Sequence, residues 1–272
     1  MRDIALALMR GLAERGASTG WTASPAGPLR YAVRGPPDAP PVLLLHGLGD
    51  SLAGWARVVG PLSRKLRVHL IDLPGHGLSG TPPDWRLTTL VAAIAHYAEA
   101  LRDPLLVGQS LGGWMALRAV LSSAVRPRAL ILINPGGAML ARELWGPFRE
   151  LLSGRDRAAA ARYLKVAFHR APLALRLFPD EVTRAMAAPA CRGILDAVSE
   201  PDFLRESELG RLDVQARIVW GDADRLLPEG TLEFFRRALP RAEVVILPGS
   251  GHLPHLETPR ALARALLAPF PR

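Results

Sequence analysis

The sequence contains very little cysteine and lysine. Cys191 is its only cysteine, which excludes an internal disulfide and a metal cluster held by several thiolates. Lys65 and Lys165 are its only lysines, so arginine carries nearly all of the positive charge. A single free thiol is compatible with a reducing compartment.

Long apolar runs and blocks of like charge are also absent. No stretch approaches the roughly 18 apolar residues of a membrane span. The apolar run near the N-terminus lies between Asp3 and Arg10, and it is too short for a signal peptide. We therefore expect a cytoplasmic protein that has no membrane span and begins with a short amphipathic helix.

The charge balance does not indicate a nucleic-acid partner. The net charge is +9, but the arginines are scattered along the chain. Aromatic residues make up only 6% of the sequence and are not interleaved with basic runs. A nucleic-acid site combines a basic patch with such aromatics, so we expect none here.

Strand and helix patterns alternate along most of the chain. Its 272 residues are 49% hydrophobic and 22% charged, as is usual for a soluble protein with one large core. Short apolar runs bounded by turn residues predict strands at 41–45, 68–72, 105–108, 129–133, 217–221 and 244–247. Apolar residues spaced three and four apart predict helices at 55–66, 87–101, 112–122, 230–238 and 260–267. This order predicts an α/β fold with a mainly parallel central sheet and helices on both faces.

One region departs from the alternation. Residues 136–211 are rich in Ala, Arg and Leu and lack a convincing strand, and several prolines divide them into short helical segments. We expect a helical cap, or lid, over the ends of the sheet, with 1–135 and 212–272 forming the core. The alternative is a surface insertion without function.

A candidate nucleophile follows the third of these predicted strands. Gly108, Gln109, Ser110, Leu111 and Gly112 form G-x-S-x-G between an apolar strand and a helical pattern. A sharp turn from strand to helix would expose the serine hydroxyl above the sheet. The helix N-terminus would then supply free amides where an oxyanion develops.

A candidate base and its acid lie toward the C-terminus. His252 follows the last predicted strand, and His255 is its local competitor. Asp222 and Asp224 follow the strand before it, and either carboxylate could reach a histidine at the same edge of the sheet. No recognised metal-ligand motif includes the two histidines.

The chain resembles the α/β-hydrolase superfamily, and the resemblance covers nearly everything outside 136–211. It is carried by LLLHGLGD at 43–50, DLPGHGLSG at 72–80, GQSLGG at 108–113, WGDAD at 220–224 and GSGHLPHLETP at 249–259. The order Ser, Asp, His is the one expected on that fold. The family's acid maps onto Asp224, with Asp222 as the second choice.

The resemblance also implies an oxyanion hole and supporting residues. The family's two oxyanion donors map onto the backbone amides of Leu48 and Leu111. His46 and Asp72 map onto structural positions. Serine at position 110 argues against dehalogenases and epoxide hydrolases of the superfamily, which have aspartate there.

The implied reaction is hydrolysis of a carboxylic ester through an acyl-enzyme. Ser110 is the nucleophile, His252 the general base and Asp224 the residue that orients the histidine. No metal or organic cofactor is needed. The same triad could act on another bond, as in a C–C hydrolase, lactonase, thioesterase or acyltransferase. A non-catalytic binding protein on this fold is the alternative from another class.

The expected substrate is a small molecule with an apolar acyl or alcohol group, such as a short- to medium-chain ester. The side chains expected to form its pocket are mostly apolar: Trp114, Met139, Leu140, Trp145, Phe148, Phe168, Phe178, Leu226 and Leu253. The same residues could simply pack the cap. The sequence does not indicate an oligomeric state.

Overall fold

A computed structural model describes residues 2–153, 156–177 and 179–270. Eight strands form one sheet in the order β1-β2-β4-β3-β5-β6-β7-β8. Their bounds are β1 Ser18–Thr22, β2 Leu29–Arg34, β3 Pro41–Leu45, β4 Arg67–Ile71, β5 Leu105–Gln109, β6 Ala129–Ile133, β7 Ala216–Gly221 and β8 Glu243–Leu247. From β4 to β8 neighbouring strands are parallel, whereas β1 and β2 pair antiparallel at one edge.

Helices follow most of the parallel strands. Those of the core are α1 Arg2–Glu14, α2 Ala56–Leu62, α3 Leu87–Glu99, α4 Leu111–Leu121, α11 Thr231–Ala238, α12 Pro254–Glu257 and α13 Pro259–Leu267. A 3-10 helix at Leu52–Trp55 precedes α2. The predicted α/β fold with a mainly parallel sheet is confirmed.

Alternate residues of each central strand pack on opposite faces of the sheet. In β3, Leu43 and Leu45 join a core with α3, α4 and α11, whereas Val42 and Leu44 join a core with α2 and α13. All four side chains are fully or almost fully buried. Continuous apolar runs therefore form these strands because both faces are covered by helices.

The segment between β6 and β7 is helical, as predicted. It contains α5 Arg142–Ser153, α6 Arg157–Ala167, α7 Leu173–Leu177, α8 Pro179–Ala187, α9 Pro189–Ala197 and α10 Glu206–Leu209, with a 3-10 helix at Glu200–Asp202. A small apolar core joins Leu152, Leu164, Val182 and Met186 of this segment to Leu226, which follows β7. Its assignment as a separate cap over 136–211 stays a prediction.

The sequence did not predict two of the strands, β1 and β2. The antiparallel pair β1 and β2 has no continuous apolar run, and β1 is largely exposed. None of the helices in the described residues is long and apolar enough to cross a bilayer.

Candidate active site

Ser110 occupies the sharp turn between β5 and α4. Its backbone has φ 52° and ψ −116°, a conformation that L-residues rarely adopt. The Ser110 amide donates to the Ile133 carbonyl of the neighbouring strand at 3.0 Å, which holds the strained turn. A Cβ on Gly112 would lie 2.5 Å from the Leu45 carbonyl oxygen, so only glycine allows α4 this close to β3. The G-x-S-x-G pattern therefore has a steric cause.

The loop after β3 packs directly against this turn. A Cβ on Gly47 would lie 3.2 Å from the Ser110 Cβ. Neither the Leu48 amide nor the Leu111 amide has a protein acceptor among the described residues. Both are free to bind an anion, as the resemblance implies for an oxyanion hole, and that role stays a prediction.

Two buried side chains, His46 and Asp72, hydrogen-bond to the backbone in and around this loop. His46 is fully buried, and its Nε2 accepts from the Leu73 amide at 2.9 Å, so its Nδ1 carries the proton that faces the Gly47 carbonyl. Burial lowers the pKa of His46, an effect that the nearby carboxylates only partly offset. Asp72 is also fully buried and accepts from the Leu52 amide at 2.7 Å. Both side chains therefore form hydrogen bonds with the backbone around the loop.

His252 and Asp224 meet at the same edge of the sheet. The Nδ1 atom of His252 lies 2.8 Å from Oδ2 of Asp224, and both side chains are almost completely buried. Asp224 Oδ1 accepts from the amides of Leu226 and Leu227 at 2.9 and 3.2 Å. This geometry fixes the carboxylate and orients the imidazole so that Nε2 is left for other partners.

Asp222 has a different environment. Its side chain accepts from the amides of Gly249 and Ser250 at 2.8 and 3.3 Å, and the residue is exposed. It therefore stabilises the turn after β8. Of the two carboxylates that the sequence left open, Asp224 is the one in contact with His252.

The nucleophile and the histidine are brought to adjacent loops. Gln109 immediately precedes Ser110, and its side chain donates to the His252 carbonyl at 3.0 Å. Within the described residues no hydrogen bond joins Ser110 Oγ to His252. Catalytic contacts are often long without substrate and shorten when it binds.

Two of the supporting residues were missed by the sequence analysis. Asn134 is fully buried at the end of β6, and its side-chain amide donates to Asp224 Oδ2 at 2.5 Å. Gln109 is also fully buried and reaches the histidine loop as described. The only sequence signal was a polar residue at the end of an otherwise apolar strand.

The helical segment contacts the histidine loop through its backbone. The Ala167 carbonyl at the end of α6 accepts from the His252 amide at 2.7 Å. Glu257 joins the same elements, because its carboxylate accepts from the amides of Arg170 and Gly251 at 2.8 and 2.7 Å. The position of the helical segment is therefore coupled to the position of His252.

The predicted pocket residues fall into two groups. Phe168 and Leu226 are buried in the small apolar core of the helical segment, and Phe148, Leu253 and Leu48 pack against it. The second group packs mainly against the sheet core and its aromatic neighbours, and it comprises Trp114, Met139, Leu140 and Trp145. Phe178 lies outside the described residues.

Tyr163 joins the first group and was not predicted. It packs against the same apolar core from α6. Burial raises the pKa of its hydroxyl, and the negative charges of Asp50 and Asp224 raise it further. The phenol is therefore neutral and lies within electrostatic range of the proposed acid.

Surface depressions lie elsewhere on the molecule. Two of them, of ≈ 330 and ≈ 770 Å³, are lined by residues around the end of α3 and the β1–β2 edge. Neither includes a predicted pocket residue. Across the described ranges, no group of three or more His, Cys, Asp or Glu side chains could hold a metal ion.

Comparison with known proteins agrees with this architecture. Residues 42–265 match the sequence profile of the alpha/beta hydrolase family. A pimeloyl-[acyl-carrier protein] methyl ester esterase of Yersinia pseudotuberculosis is 27% identical over 243 residues, which cover 83% of this chain and 91% of that protein.

Solved structures with the same fold include two lipid or ester hydrolases. A membrane phospholipase A described as a bacterial virulence factor superposes with a TM-score of 0.84 at 28% identity, over 97% of this chain and 90% of that one. The carboxylesterase CesB of Bacillus subtilis superposes with a TM-score of 0.79 at 20% identity, over 97% and 95%. The chain therefore belongs to the alpha/beta hydrolase family and is an enzyme of the hydrolase class.

Proposed function

We propose that this enzyme hydrolyses carboxylic esters through an acyl-enzyme formed on Ser110. The observation that carries the proposal is the 2.8 Å contact between His252 and Asp224, in a loop that Gln109 ties to the nucleophile turn. The similarity to the Yersinia protein supports a carboxylic ester as the bond that is cleaved, since that protein is named as a methyl ester esterase.

The first half of the reaction uses each group in one role. Ser110 Oγ attacks the carbonyl carbon while His252 Nε2 takes the hydroxyl proton. The negative charge that develops on the carbonyl oxygen is stabilised by the Leu48 and Leu111 amides. His252 then protonates the leaving alcohol, and the acyl group stays on Ser110.

The second half releases the acid. His252 removes a proton from water, which attacks the acyl-enzyme, and the proton returns to Ser110 as the carboxylic acid leaves. Asp224 keeps the Nδ1 proton in place and stabilises the imidazolium that forms twice in each cycle. Asn134 holds Asp224 in the orientation that this task requires.

The apolar group around the site favours an acyl chain of short to medium length. Phe148, Phe168, Leu226 and Leu253 belong to one apolar cluster, together with Leu48 of the oxyanion loop. In the chain, Leu226 and Leu253 closely follow the proposed acid and base. The helical segment 136–211 would act as the lid of this pocket, because its backbone contacts the His252 loop. We propose no cofactor, no nucleic-acid partner and a cytoplasmic location.

A substrate panel and one variant test the bond type. Purified protein is assayed with nitrophenyl esters of increasing acyl length beside a lactone, a thioester and a vinylogous diketone. We expect the highest kcat/KM for a short or medium ester, and we expect Ser110→Ala to abolish both turnover and labelling by a fluorophosphonate. Near wild-type turnover by Ser110→Ala would exclude the mechanism, and a preference for another substrate would reassign the bond.

A matched pair of variants tests the acid. Asp224→Asn keeps the shape of the side chain but favours the wrong histidine tautomer, so kcat should fall by up to about ten-thousandfold. Asp222→Asn is the control, because the Asp222 carboxylate accepts from the amides of Gly249 and Ser250 whereas Asp224 is the carboxylate in contact with His252. A larger loss of kcat in Asp222→Asn would contradict the assignment.

A further inference from the structure

His255 is a buried histidine that the proposed reaction does not use. Its side chain is only 1% exposed, and its Nε2 lies 3.0 Å from Oδ2 of Asp50. The imidazole packs on the indole of Trp55, with ring centroids 5.1 Å apart and an angle of 38° between the planes. Because Nε2 of His255 is occupied by Asp50, we do not assign this histidine as a second base.

Asp50 is the last residue of the oxyanion loop, here defined as residues 46–50. Its amide donates to the Gly47 carbonyl at 3.3 Å, across the residue whose amide is the proposed oxyanion donor. Its other carboxylate oxygen accepts from the Ser51 amide at 2.7 Å. The conformation of the loop around Leu48 therefore depends on where the Asp50 carboxylate is held.

The two partners come from the two loops that must cooperate in the reaction. His255 follows His252 closely and lies in α12, whereas Asp50 follows Leu48. Burial raises the pKa of Asp50, but its interaction with His255, above all the hydrogen bond, and its hydrogen bond from the Ser51 amide lower the pKa by more. Asp50 is thus an anion at neutral pH. Its side chain is 25% exposed, so removing His255 would leave the carboxylate with the Ser51 amide and solvent as partners and without its hydrogen bond to the histidine loop.

We propose that the Asp50–His255 contact positions the oxyanion loop against the histidine loop, so that the Leu48 amide and His252 act on the same substrate carbonyl. The inference rests on the proposed function, because the relative position of the two loops matters only if Leu48 and His252 act in the same reaction. His255 and Asp50 are positioning residues. Neither touches the reacting atoms.

His255→Phe is the main test. Phenylalanine retains the packing on Trp55 and removes the hydrogen bond to Asp50. Removing one oxyanion donor costs about 100- to 1,000-fold in kcat. A displaced donor should cost less, so we expect kcat for the best ester to fall about 10- to 100-fold with KM changed less than about threefold. The affinity for a trifluoromethyl ketone, which mimics the oxyanion, should fall by the same factor as kcat.

A second variant and a control separate positioning from simple loss of stability. In Asp50→Asn a side-chain amide can still hydrogen-bond to His255 Nε2, so its loss of kcat should be smaller than that of His255→Phe. Arg57→Met is the control, because Arg57 donates to the Leu256 carbonyl of the same helix at 2.6 Å without reaching the oxyanion loop. Its kcat should stay within about twofold of wild type, since an exposed contact contributes little.

Hydrogen exchange measures the loop without relying on activity. We expect the amides of 46–52 to exchange at least about fivefold faster in His255→Phe than in wild type or Arg57→Met. A melting temperature that falls while kcat, analogue affinity and exchange stay unchanged would overturn the proposal. If wild type shows no hydrolysis that depends on Ser110, the proposed function fails, and unchanged exchange then overturns the loop contact separately.

Discussion

Replacing Asn134 tests how strongly the proposed acid is held. Its Nδ2 donates to Asp224 Oδ2, and its Oδ1 accepts from the Gly221 amide at 3.2 Å. The residue is fully buried and has φ 42°, in the left-handed region. Glycine removes both hydrogen bonds and tolerates this backbone, whereas alanine removes them and strains it.

The contacts of Asn134 set the expected cost. A hydrogen bond to a charged group contributes about 1.5–3 kcal/mol, and a buried amide left without an acceptor costs about 1–3 kcal/mol. We therefore expect Asn134→Gly to lower the free energy of unfolding by about 3–5 kcal/mol. Asn134→Ala should lose about 1 kcal/mol more, because left-handed strain exceeds the advantage of alanine in the unfolded chain.

Urea denaturation followed by tryptophan fluorescence measures both variants. The midpoint should decrease in the order wild type, Asn134→Gly, Asn134→Ala, with an unchanged slope. The kcat of the folded fraction should also fall, because Asp224 loses one of its restraints. A glycine variant within about 0.5 kcal/mol of wild type, or an alanine variant more stable than glycine, would refute the reasoning.

Two further changes probe the turn between β5 and α4 and the buried histidine His69. A Cβ at Gly112 would lie 2.5 Å from the Leu45 carbonyl oxygen and 2.6 Å from that of His46. Gly112→Ala should therefore lower the melting temperature by several degrees. An unchanged melting temperature would contradict this close packing of α4 on β3. Burial, and secondarily the charge of Arg67, lowers the pKa of His69 from 6.5 to about 4. Because the unfolded chain binds this proton first, stability should fall as pH drops from about 6.5 toward 4, with about 2 kcal/mol of the loss arising from this group between pH 7 and 5. In His69→Gln the loss measured by urea denaturation at pH 7 and 5 should be smaller by that amount, and equal losses would exclude the effect.

The sequence predicts the central strands well because their physical signal is local. Continuous apolar runs such as β3 and β6 are buried on both faces, and no other element of that length accounts for them. The strand β1 was missed because it lies at the edge, is mostly exposed and contains Gly20, which leaves it no apolar pattern. Its pairing with β2 depends on tertiary contact.

The candidate site divides in the same way. Ser110 could be predicted because the G-x-S-x-G pattern lies within five consecutive residues, although the carbonyl that requires glycine at 112 belongs to β3. The preference for Asp224 over Asp222 came from the resemblance, and only the fold shows which carboxylate is in contact with His252. Asn134 could not be predicted, since its function depends on a carboxylate that a separate strand brings to it.

The architecture explains this division. Leu48, Ser110, Asp224 and His252 each follow the carboxyl end of a parallel strand, so the sheet alone brings them to one edge. Strand ends can be recognised in a sequence, and residues directly after them are therefore accessible to prediction. Contacts between loops, such as that of Asp50 with His255, depend on how far each loop extends beyond the edge. That distance is determined by packing between distant segments, and no local pattern records it.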